Sequence, residues 1–252
     1  MTWLRSPAVL FDLDGVISDT VTLHAEAWKS AFDALLRRHD MANALFSSNE
    51  DYFHHFDGKT RLSGIKSFLR SRKINLPLGE SSDVGVETIQ GVGNTKNIVF
   101  RRLLERRGPI IFADAIRLLD KLATADVEIG LVSSSKNARI VLDKSGLTDR
   151  FSTIMDGIVA EQRGIESKPD PAFYRFAAKL MNRRPDDCVA IEDATSGVMS
   201  AKQAGMRVVG MDRSGRGNEL QTLGVDAIVR SLDELSVKYL LGRNDLRQRT
   251  TP

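Results

Sequence analysis

The distribution of apolar residues along the chain predicts five buried β-strands. Five short runs are rich in Val, Ile or Leu and lack a regular polar alternation, which is typical of strands that are covered on both faces. These runs lie at residues 8–12, 127–133, 188–192, 207–211 and 226–229. The strands are therefore expected to form a sheet between layers of helices.

Helical patterns separate the later strands. Two of them, at residues 137–145 and 197–204, are followed by Gly146 and Gly205. Glycine commonly ends a helix because it adopts the left-handed conformation there. Two further helical patterns lie at residues 115–125 and 171–181. Because strands and helices alternate, the sequence predicts an α/β fold with a doubly wound parallel sheet.

The segment that follows the first strand breaks this alternation. Apolar residues recur at four-residue steps from Leu23 to Leu35, which predicts a helix over residues 22–39. No strand pattern follows before residue 107. Within this segment we predict further helices at residues 62–69 and 97–104, and loops around residues 44–51 and 76–85. The predicted domains are an α/β core of residues 1–20 and 108–252 and an inserted all-helical cap domain of residues 21–107.

Composition supports a globular protein with an inserted module. The chain has 252 residues, of which 42% are hydrophobic and 27% are charged, and both fractions are close to globular averages. The length exceeds one typical domain and falls short of two. The net charge is only +3, with 36 Lys and Arg interleaved among 33 Asp and Glu, so no nucleic-acid partner is predicted. The arginine-rich segment 243–252 is predicted to be a solvated tail.

The number of cysteines and the lengths of the apolar runs indicate the cellular compartment in which the protein is expected. The single cysteine, Cys188, cannot form an intramolecular disulfide, and we predict that it packs in the core. No apolar run approaches the roughly 18 residues of a membrane span. The apolar run at residues 8–11 is shorter than a signal peptide requires. The sequence therefore predicts a cytoplasmic protein without a membrane partner, and nothing in it requires more than a monomer.

Acidic residues follow two of the predicted strands. Asp12 and Asp14 end the first strand two residues apart, so both lie on the same side of the chain. Glu192 and Asp193 end the strand at residues 188–192. The carboxyl ends of parallel strands form the ligand crevice of such a sheet. An aspartate after a strand is often only a turn or helix cap, but two pairs at two strand ends favour a cation site, and hard oxygen ligands select Mg²⁺.

Two other segments offer groups for binding phosphate. The run Ser133, Ser134, Ser135, Lys136 and Asn137 follows a strand and begins a helix, where hydroxyls, backbone amides and the helix dipole favour an anion. Such serines also serve as plain helix caps. Lys168 precedes a predicted helix and offers a cation for the space between a carboxylate nucleophile and a phosphate. Taken alone, such a residue is more commonly an ordinary exposed lysine.

Taken together, these motifs resemble the haloacid dehalogenase superfamily. Asp12-Leu-Asp14-Gly-Val, Ser133, Lys168-Pro169 and Glu192-Asp193 follow successive strands in the order of its four motifs. The resemblance implies that Asp12 is a nucleophile that forms an aspartyl phosphate and that Asp14 is the general acid and base. It also implies that Mg²⁺ is bound by Asp12, the backbone carbonyl of Asp14 and Asp193, with Glu192 supporting the site.

The inserted region resembles the cap of the β-phosphoglucomutase-like group within this superfamily. The resemblance implies that His24 contacts Asp14 and helps to time its movement, and that Arg61 of a Gly-x-x-Arg motif grips the phosphate that is not transferred. The other matching residues are implied to contact substrate phosphate and hydroxyls: Gly58, Lys96, Asn97, Ser135, Lys136 and Asn137. Each of these residues, taken alone, is more commonly a solvated or capping residue.

The expected activity is Mg²⁺-dependent phosphoryl transfer on a small sugar phosphate. The resemblance implies interconversion of β-glucose 1-phosphate and glucose 6-phosphate. Asp57, which precedes Gly58 where the group carries lysine, leaves open a sugar-phosphate phosphatase as the alternative. A third interpretation is a non-catalytic sugar-phosphate-binding protein, and the presence of both Asp12 and Lys168 argues against it.

Overall fold

The described part of the chain forms two compact units. The computed structural model describes residues 7–242, so the predicted tail at residues 243–252 lies outside the described residues. One unit, here the sheet unit, contains residues 7–19 and 110–242. The other, here the helical unit, is the inserted segment Thr20–Pro109.

A parallel β-sheet forms the centre of the sheet unit. Its strands are β1 (Ala8–Phe11), β2 (Glu128–Val132), β3 (Thr153–Met155), β4 (Cys188–Glu192), β5 (Arg207–Met211) and β6 (Ala227–Val229). They pair in the order β3-β2-β1-β4-β5-β6. Ala8 of β1 pairs with Glu128 on one side and with Cys188 on the other. The strand order therefore reverses at β1, and ligands of open α/β sheets bind beside such a reversal.

The helical unit has its own hydrophobic core. Its helices are α1 (Val21–Arg38), α2 (Asp51–His55), α3 (Arg61–Ser71) and α4 (Ile89–Arg107), and none of its described residues forms a strand. Aromatic rings fill the space between them. Phe32 and Phe68 lie 4.3 Å apart between ring centroids, and Trp28 and Phe56 lie at the same distance. Such aromatic packing accounts for a compact unit within the insertion.

Helix α4 begins earlier than the sequence pattern predicts. The prediction of a helix over residues 97–104 is too short, because α4 spans Ile89–Arg107. Thr88 caps its first turn, with its Oγ1 accepting a hydrogen bond from the amide of Gly91 at 2.9 Å. Gly91 and Gly93 are poor helix formers, so they hide this start in the sequence. A Cβ at Gly93 would lie 2.8 Å from Cδ of Arg61, which explains why α4 carries a glycine there.

Seven helices flank the sheet in the described part of the sheet unit. They are α5 (Ala113–Thr124), α6 (Ala138–Ser145), α7 (Gly157–Arg163), α8 (Ala172–Leu180), α9 (Thr195–Ala204), α10 (Gly217–Thr222) and α11 (Val237–Leu240). The four helices predicted for this region correspond to α5, α6, α8 and α9. The sequence patterns did not predict α7, α10 and α11, which are short, nor the three-residue edge strand β3.

The segments that lead into and out of the helical unit are paired by backbone hydrogen bonds. The Asp19 amide donates to the carbonyl of Ile110 at 2.8 Å, and the Phe112 amide donates to Ile17 at 3.0 Å. Ser18 and Ile111 form an antiparallel bridge between them. The insertion therefore begins and ends at neighbouring points of the sheet unit.

The sequence predicts that Cys188 packs in the core and that no apolar run is long enough to span a membrane. Cys188 is buried in β4, as predicted, and burial raises the pKa of its thiol to about 12. Among residues 7–242, no helix is both long enough and apolar enough to cross a membrane.

Candidate active site

Asp12 and Asp14 lie in a tight turn at the carboxyl end of β1. The Asp12 amide continues the sheet by donating to the Ile191 carbonyl of β4 at 3.0 Å. Asp12 is buried, with 5% of its surface exposed, and its Oδ2 accepts a hydrogen bond from the Asp14 amide at 2.9 Å. The turn closes where the Gly15 amide donates to Ser18 at 2.8 Å. Asp12 is thus held rigidly, whereas Asp14 is only partly buried.

Lys168 is a fully buried ammonium that joins two of the carboxylates. Its Nζ donates to Asp12 Oδ1 at 2.7 Å and to Glu192 Oε1 at 2.6 Å. A third hydrogen bond goes to the Val132 carbonyl at 3.1 Å, at the end of β2. An ammonium has three donors, and these three bonds use all of them. The interpretation of Lys168 as an ordinary exposed lysine is therefore wrong.

Two glycines make room for the carboxylates that follow β4. A Cβ at Gly197 in α9 would lie 2.1 Å from the carboxylate carbon of Glu192. A Cβ at Gly15 would lie 1.9 Å from Asp193 Oδ2. Each carboxylate therefore packs directly against backbone that carries no side chain. Gly15 also has φ +92°, a conformation that other residues rarely adopt.

The carboxylates form a group with the donor chemistry of a magnesium site. One oxygen each from Asp12, Glu192 and Asp193 lies within 4.8 Å of the others. Glu192 Oε2 is buried and has no hydrogen-bond partner among the described residues. Three carboxylates against one ammonium leave an excess of negative charge, and hard oxygen ligands suit Mg²⁺. These residues therefore fit a divalent cation, and the Asp14 carboxylate is not part of the group.

The pKa shifts reflect this crowding of charge. Burial raises the pKa of Asp12 well above its usual value; Lys168 opposes the shift, while Glu192 and Asp14 add to it. Burial alone lowers the pKa of Lys168, but attraction to Asp12 and Glu192 outweighs it and holds that pKa above its usual value. Lys168 is therefore a permanent cation at neutral pH.

Tyr174 is a member of this group that the sequence patterns did not single out. Its hydroxyl donates to Glu192 Oε1 at 2.6 Å, and burial raises the pKa of the phenol. Tyr174 lies in α8 on the face that packs in the core. In the sequence, Tyr174 fits the pattern of an ordinary buried helix residue. Hydrophobic periodicity does not indicate whether the hydroxyl of a buried tyrosine has a hydrogen-bond partner.

The segment Ser133–Asn137 lies between β2 and α6, as predicted, and its hydroxyls bond within the segment. Ser133 Oγ accepts from the Ser135 amide at 3.1 Å, and Ser135 Oγ accepts from the Asn137 amide at 3.1 Å. Ser133 and Asn137 are buried, whereas Ser134 is partly exposed. A Cβ at Gly157 would lie 2.5 Å from the Ser134 carbonyl. The segment is therefore a compact turn supported by the start of α7.

Lys136 extends from this turn to a surface ion pair. Its Nζ lies 2.6 Å from Glu161 Oε1 on α7. The Glu161 side chain is 57% exposed, so this pair contributes little to stability. The geometry places Lys136 in contact with Glu161, a contact that the sequence did not indicate.

Four predicted residues of the helical unit form two separate pairs. Arg61 at the start of α3 donates through Nη2 to Asn97 Oδ1 at 2.9 Å. His24 of α1 and Lys96 of α4 are both buried, with 2.6 Å between His24 Nδ1 and Lys96 Nζ. The His24 ring stacks on Phe100 at 4.2 Å between centroids. Lys96 Nζ also lies 4.9 Å from the Trp28 ring centroid.

The residues around Gly58 form a short link between α2 and α3. Gly58 has φ +68°, which favours glycine. Asp57 is buried, with 6% of its surface exposed. Lys59 Nζ donates to the His54 carbonyl at 3.0 Å. Burial lowers the pKa of Lys59, and the charge of Asp57 partly offsets this shift.

Within each unit, the predicted residues thus fall into distinct groups. Asp12, Lys168 and Glu192 are joined by hydrogen bonds, and Asp14 and Asp193 adjoin them through the Gly15 turn. The turn at Ser133–Asn137 follows Val132, whose carbonyl accepts a hydrogen bond from Lys168. In the helical unit, the pairs Arg61 with Asn97 and His24 with Lys96 lie on α1, α3 and α4.

Comparisons with known proteins find β-phosphoglucomutases and also a phosphatase, hexitol phosphatase A of Escherichia coli, which is 26% identical over 241 residues and is covered to 95%, against 93% of this chain. The family model for haloacid dehalogenase-like hydrolases matches residues 7–205. The chain is 40% identical over 238 residues to a β-phosphoglucomutase of Mycobacterium tuberculosis, and the match covers 90% of each chain. It is 32% identical to a β-phosphoglucomutase of Bacillus subtilis, covering 92% of this chain and 93% of that protein. A crystal structure of β-phosphoglucomutase from Clostridium difficile superposes with a TM-score of 0.74 at 25% identity, covering 94% of this chain and 96% of that one.

Proposed function

Because the chain belongs to the haloacid dehalogenase superfamily, in its β-phosphoglucomutase-like subgroup, and is therefore an enzyme of phosphoryl transfer or hydrolysis, we propose that it is a β-phosphoglucomutase. In this proposal it interconverts β-glucose 1-phosphate and glucose 6-phosphate through glucose 1,6-bisphosphate and a phosphorylated Asp12. The observation that carries the mutase assignment is the 40% identity to a β-phosphoglucomutase over 90% of each chain. The hydrogen bonding of Lys168 to both Asp12 and Glu192 beside Asp193 supports the phosphoryl-transfer chemistry.

Asp12 is the proposed nucleophile. Its carboxylate is fixed at both oxygens, by Lys168 at Oδ1 and by the Asp14 amide at Oδ2. A fixed nucleophile lowers the entropic cost of in-line attack on a phosphoryl group. Lys168 and the hydroxyls and amides of the Ser133–Asn137 turn would offset the negative charge of the phosphoryl oxygens.

The cluster of carboxylates at Asp12, Glu192 and Asp193 is the proposed Mg²⁺ site. Asp12, Asp193 and the backbone carbonyl of Asp14 would bind the ion, with Glu192 supporting the site through Lys168. When bound, Mg²⁺ would lower the repulsion between the Asp12 carboxylate and the substrate phosphate. The excess negative charge of the described group supports this assignment.

Asp14 is the proposed general acid and base. It lies two residues after Asp12 in the same turn and is only partly buried. In this role its carboxyl would take the proton from the attacking sugar hydroxyl and return it to the leaving oxygen. An alcohol leaving group needs such a proton, which favours phosphoryl transfer over displacement of a halide.

A mutase also requires recognition of a second phosphate. The bisphosphate must bind in two orientations, so that either phosphate can reach Asp12. We propose Arg61 for the phosphate that is not transferred, because a guanidinium can bind phosphate through two parallel hydrogen bonds. His24, Gly58, Lys96, Asn97 and Lys136 remain proposed contacts of the sugar phosphate.

One assay tests the proposed reaction. The purified protein is supplied with β-glucose 1-phosphate, Mg²⁺ and a trace of glucose 1,6-bisphosphate, and glucose 6-phosphate and inorganic phosphate are measured separately. We expect glucose 6-phosphate to form much faster than inorganic phosphate. Release of phosphate at an equal or higher rate would contradict the mutase assignment.

A sugar-phosphate phosphatase is the second candidate, and Asp57 favours it. A buried carboxylate next to Gly58 places negative charge where the subgroup carries a cation, and this charge would weaken binding of a second phosphate. In that case water would replace the sugar hydroxyl in the second step. Replacing Asp57 with lysine should then raise the ratio of mutase to phosphatase activity in the same assay.

A further inference from the structure

The hydroxyl of Tyr174 makes a contact in the candidate active site that the proposed mechanism does not use. It donates to Glu192 Oε1 at 2.6 Å. The same oxygen accepts the ammonium of Lys168 at 2.6 Å. Tyr174 is completely buried, at 0% exposure, so its hydroxyl does not face solvent. Any effect of this hydroxyl on the reaction therefore passes through Glu192.

Lys168 is shared between two carboxylates, and Tyr174 donates a hydrogen bond to one of them. Asp12 Oδ1 and Glu192 Oε1 both accept from the one ammonium. The Tyr174 hydroxyl gives Glu192 a second donor at the same oxygen. Without this donor, Glu192 would depend on Lys168 alone, since Oε2 has no hydrogen-bond partner among the described residues. A buried carboxylate with too few donors attracts a neighbouring cation strongly.

The ring of Tyr174 has a separate contact with Lys168. Lys168 Nζ lies 5.2 Å from the ring centroid, within the range of a cation–π interaction. Phenylalanine would keep this ring and its packing. The change Tyr174→Phe therefore removes the hydroxyl alone.

From these contacts we infer that Tyr174 is a positioning residue for phosphoryl transfer, which fixes Glu192 and so keeps Lys168 bound to Asp12. The inference rests on the proposed role of Asp12 as the nucleophile. In this inference Tyr174 acts through Glu192 and makes no contact with the substrate. Its loss should slow the transfer step and leave substrate binding unchanged.

Kinetics of Tyr174→Phe provide the first test. For both β-glucose 1-phosphate and p-nitrophenyl phosphate we expect kcat to fall about tenfold, as for loss of a hydrogen bond to a charged group, with KM changed less than about twofold. Tyr239→Phe is the matched control, because the Tyr239 hydroxyl lies 3.5 Å from the Asp226 carbonyl at the surface. A change in KM with kcat preserved would overturn the inference.

A double-mutant cycle tests whether the effect passes through Glu192. In the Glu192→Gln background, the carboxylate that Tyr174 stabilises is gone, so Tyr174→Phe should change kcat by less than about twofold. An equal tenfold loss in both backgrounds would show that Tyr174 acts by another route, and the inference would fail.

An NMR measurement tests the same contact without any substrate. With ¹⁵N-labelled lysine, the Nζ signal of buried Lys168 is assigned by its loss in Lys168→Met. Tyr174→Phe should shift this signal and Tyr239→Phe should leave it in place. An unchanged signal in folded Tyr174→Phe would overturn the inference. A shifted signal in a protein that turns over no sugar phosphate would refute the proposed function and leave the positioning contact standing.

Discussion

At the scale of single residues, the two aspartates of the first turn have different surroundings. Asp12 is buried and accepts a hydrogen bond from Lys168. Asp14 is partly exposed and is not part of the cluster of carboxylates formed by Asp12, Glu192 and Asp193. These surroundings suit a nucleophile and a proton carrier respectively. The acidic pair at the end of β1 could be found in the sequence because strand ends and carboxylate spacing are local features, whereas the roles of the two residues are implied only by the family resemblance.

We predict that Asp12→Asn abolishes phosphoryl transfer, lowering kcat by at least about 10⁴-fold, because an amide cannot accept the phosphoryl group. Asp14→Asn should lower kcat by about 10²–10⁴-fold, as for loss of a general acid and base. Steady-state assays with β-glucose 1-phosphate measure both effects. Asp149→Asn, an exposed isosteric change, is the control, and normal turnover by Asp14→Asn would refute its proposed role.

His55 should make the stability of the protein depend on pH. Burial, with the neighbouring His54, lowers its pKa from 6.5 to about 4, and Nδ1 bonds to Ser67 Oγ at 2.9 Å. As the pH falls below 6.5, the unfolded chain takes up a proton at this position before the folded chain does. The stabilising effect of neutral His55 is therefore complete above that pH and is lost progressively towards pH 4.

Urea unfolding at several pH values measures this effect. The free energy of unfolding of the wild type should fall more steeply between about pH 6.5 and 4 than that of His55→Asn, which keeps a polar atom near Nδ1. His39→Asn, a change at an exposed histidine that follows α1, should keep the wild-type slope. Equal slopes for the wild type and His55→Asn would contradict the assignment.

Other residue contacts could not be predicted from the sequence. His24 and Lys96 are separated by 72 positions, and only the packing of α1 against α4 brings them together. Tyr174 reaches Glu192 in the same way, from α8 to the end of β4. Such contacts depend on how elements pack, and a single sequence contains no record of that packing.

At the scale of elements, the turn after β1 requires glycine at position 15 both for its positive φ angle and for the space that its missing side chain leaves to Asp193. Gly15 has φ +92° and lies against Asp193. Gly205, which ends α9, has φ +95°, and a Cβ at this position would meet no neighbouring atom within 4 Å. The two glycines thus have similar positive φ angles and differ in their surroundings.

We predict that Gly205→Ala lowers the free energy of unfolding by about 1–2 kcal/mol, the typical cost of a left-handed residue. Gly15→Ala should be more destabilising and should also displace Asp193. Excess Mg²⁺ should raise the thermal midpoint of the wild type and of Gly205→Ala, because a bound ion stabilises the folded state, but not that of Gly15→Ala. An equal rise in the thermal midpoint of all three proteins would show that Asp193 does not bind the ion.

Elements were predictable where their pattern was long or strongly apolar. The strands β4 and β5 have the predicted bounds. The edge strand β3 has only three residues and two of them are only partly buried, so it lacks the apolar run that marks a central strand. The start of α4 was missed because Gly91 and Gly93 weaken its helical pattern.

At the scale of the whole molecule, the choice between mutase and phosphatase should depend on the helical unit. A small aryl phosphate carries one phosphate, so its hydrolysis requires the groups around Asp12 and no second phosphate site. The mutase reaction requires both. Substitutions in the helical unit should therefore separate the two activities.

We predict that Arg61→Ala lowers kcat/KM for the mutase reaction by about 10–100-fold, as for loss of charged hydrogen bonds to phosphate. Hydrolysis of p-nitrophenyl phosphate should change less than about twofold. Arg70→Ala, an exposed change on the same helix α3, should leave both rates unchanged. Equal losses in the two reactions would remove Arg61 from the second phosphate site.

The backbone pairing of Asp19 with Ile110 also has a consequence for folding. Ala8 and Glu128 are partners in the sheet, although the whole helical unit lies between them in the sequence. The entropy lost on closing a loop grows with the number of flexible residues in it. A helical unit that folds around its own aromatic core acts as a short link between β1 and β2. We therefore expect the insertion to slow folding less than its length implies, provided that its helices form before the two strands meet.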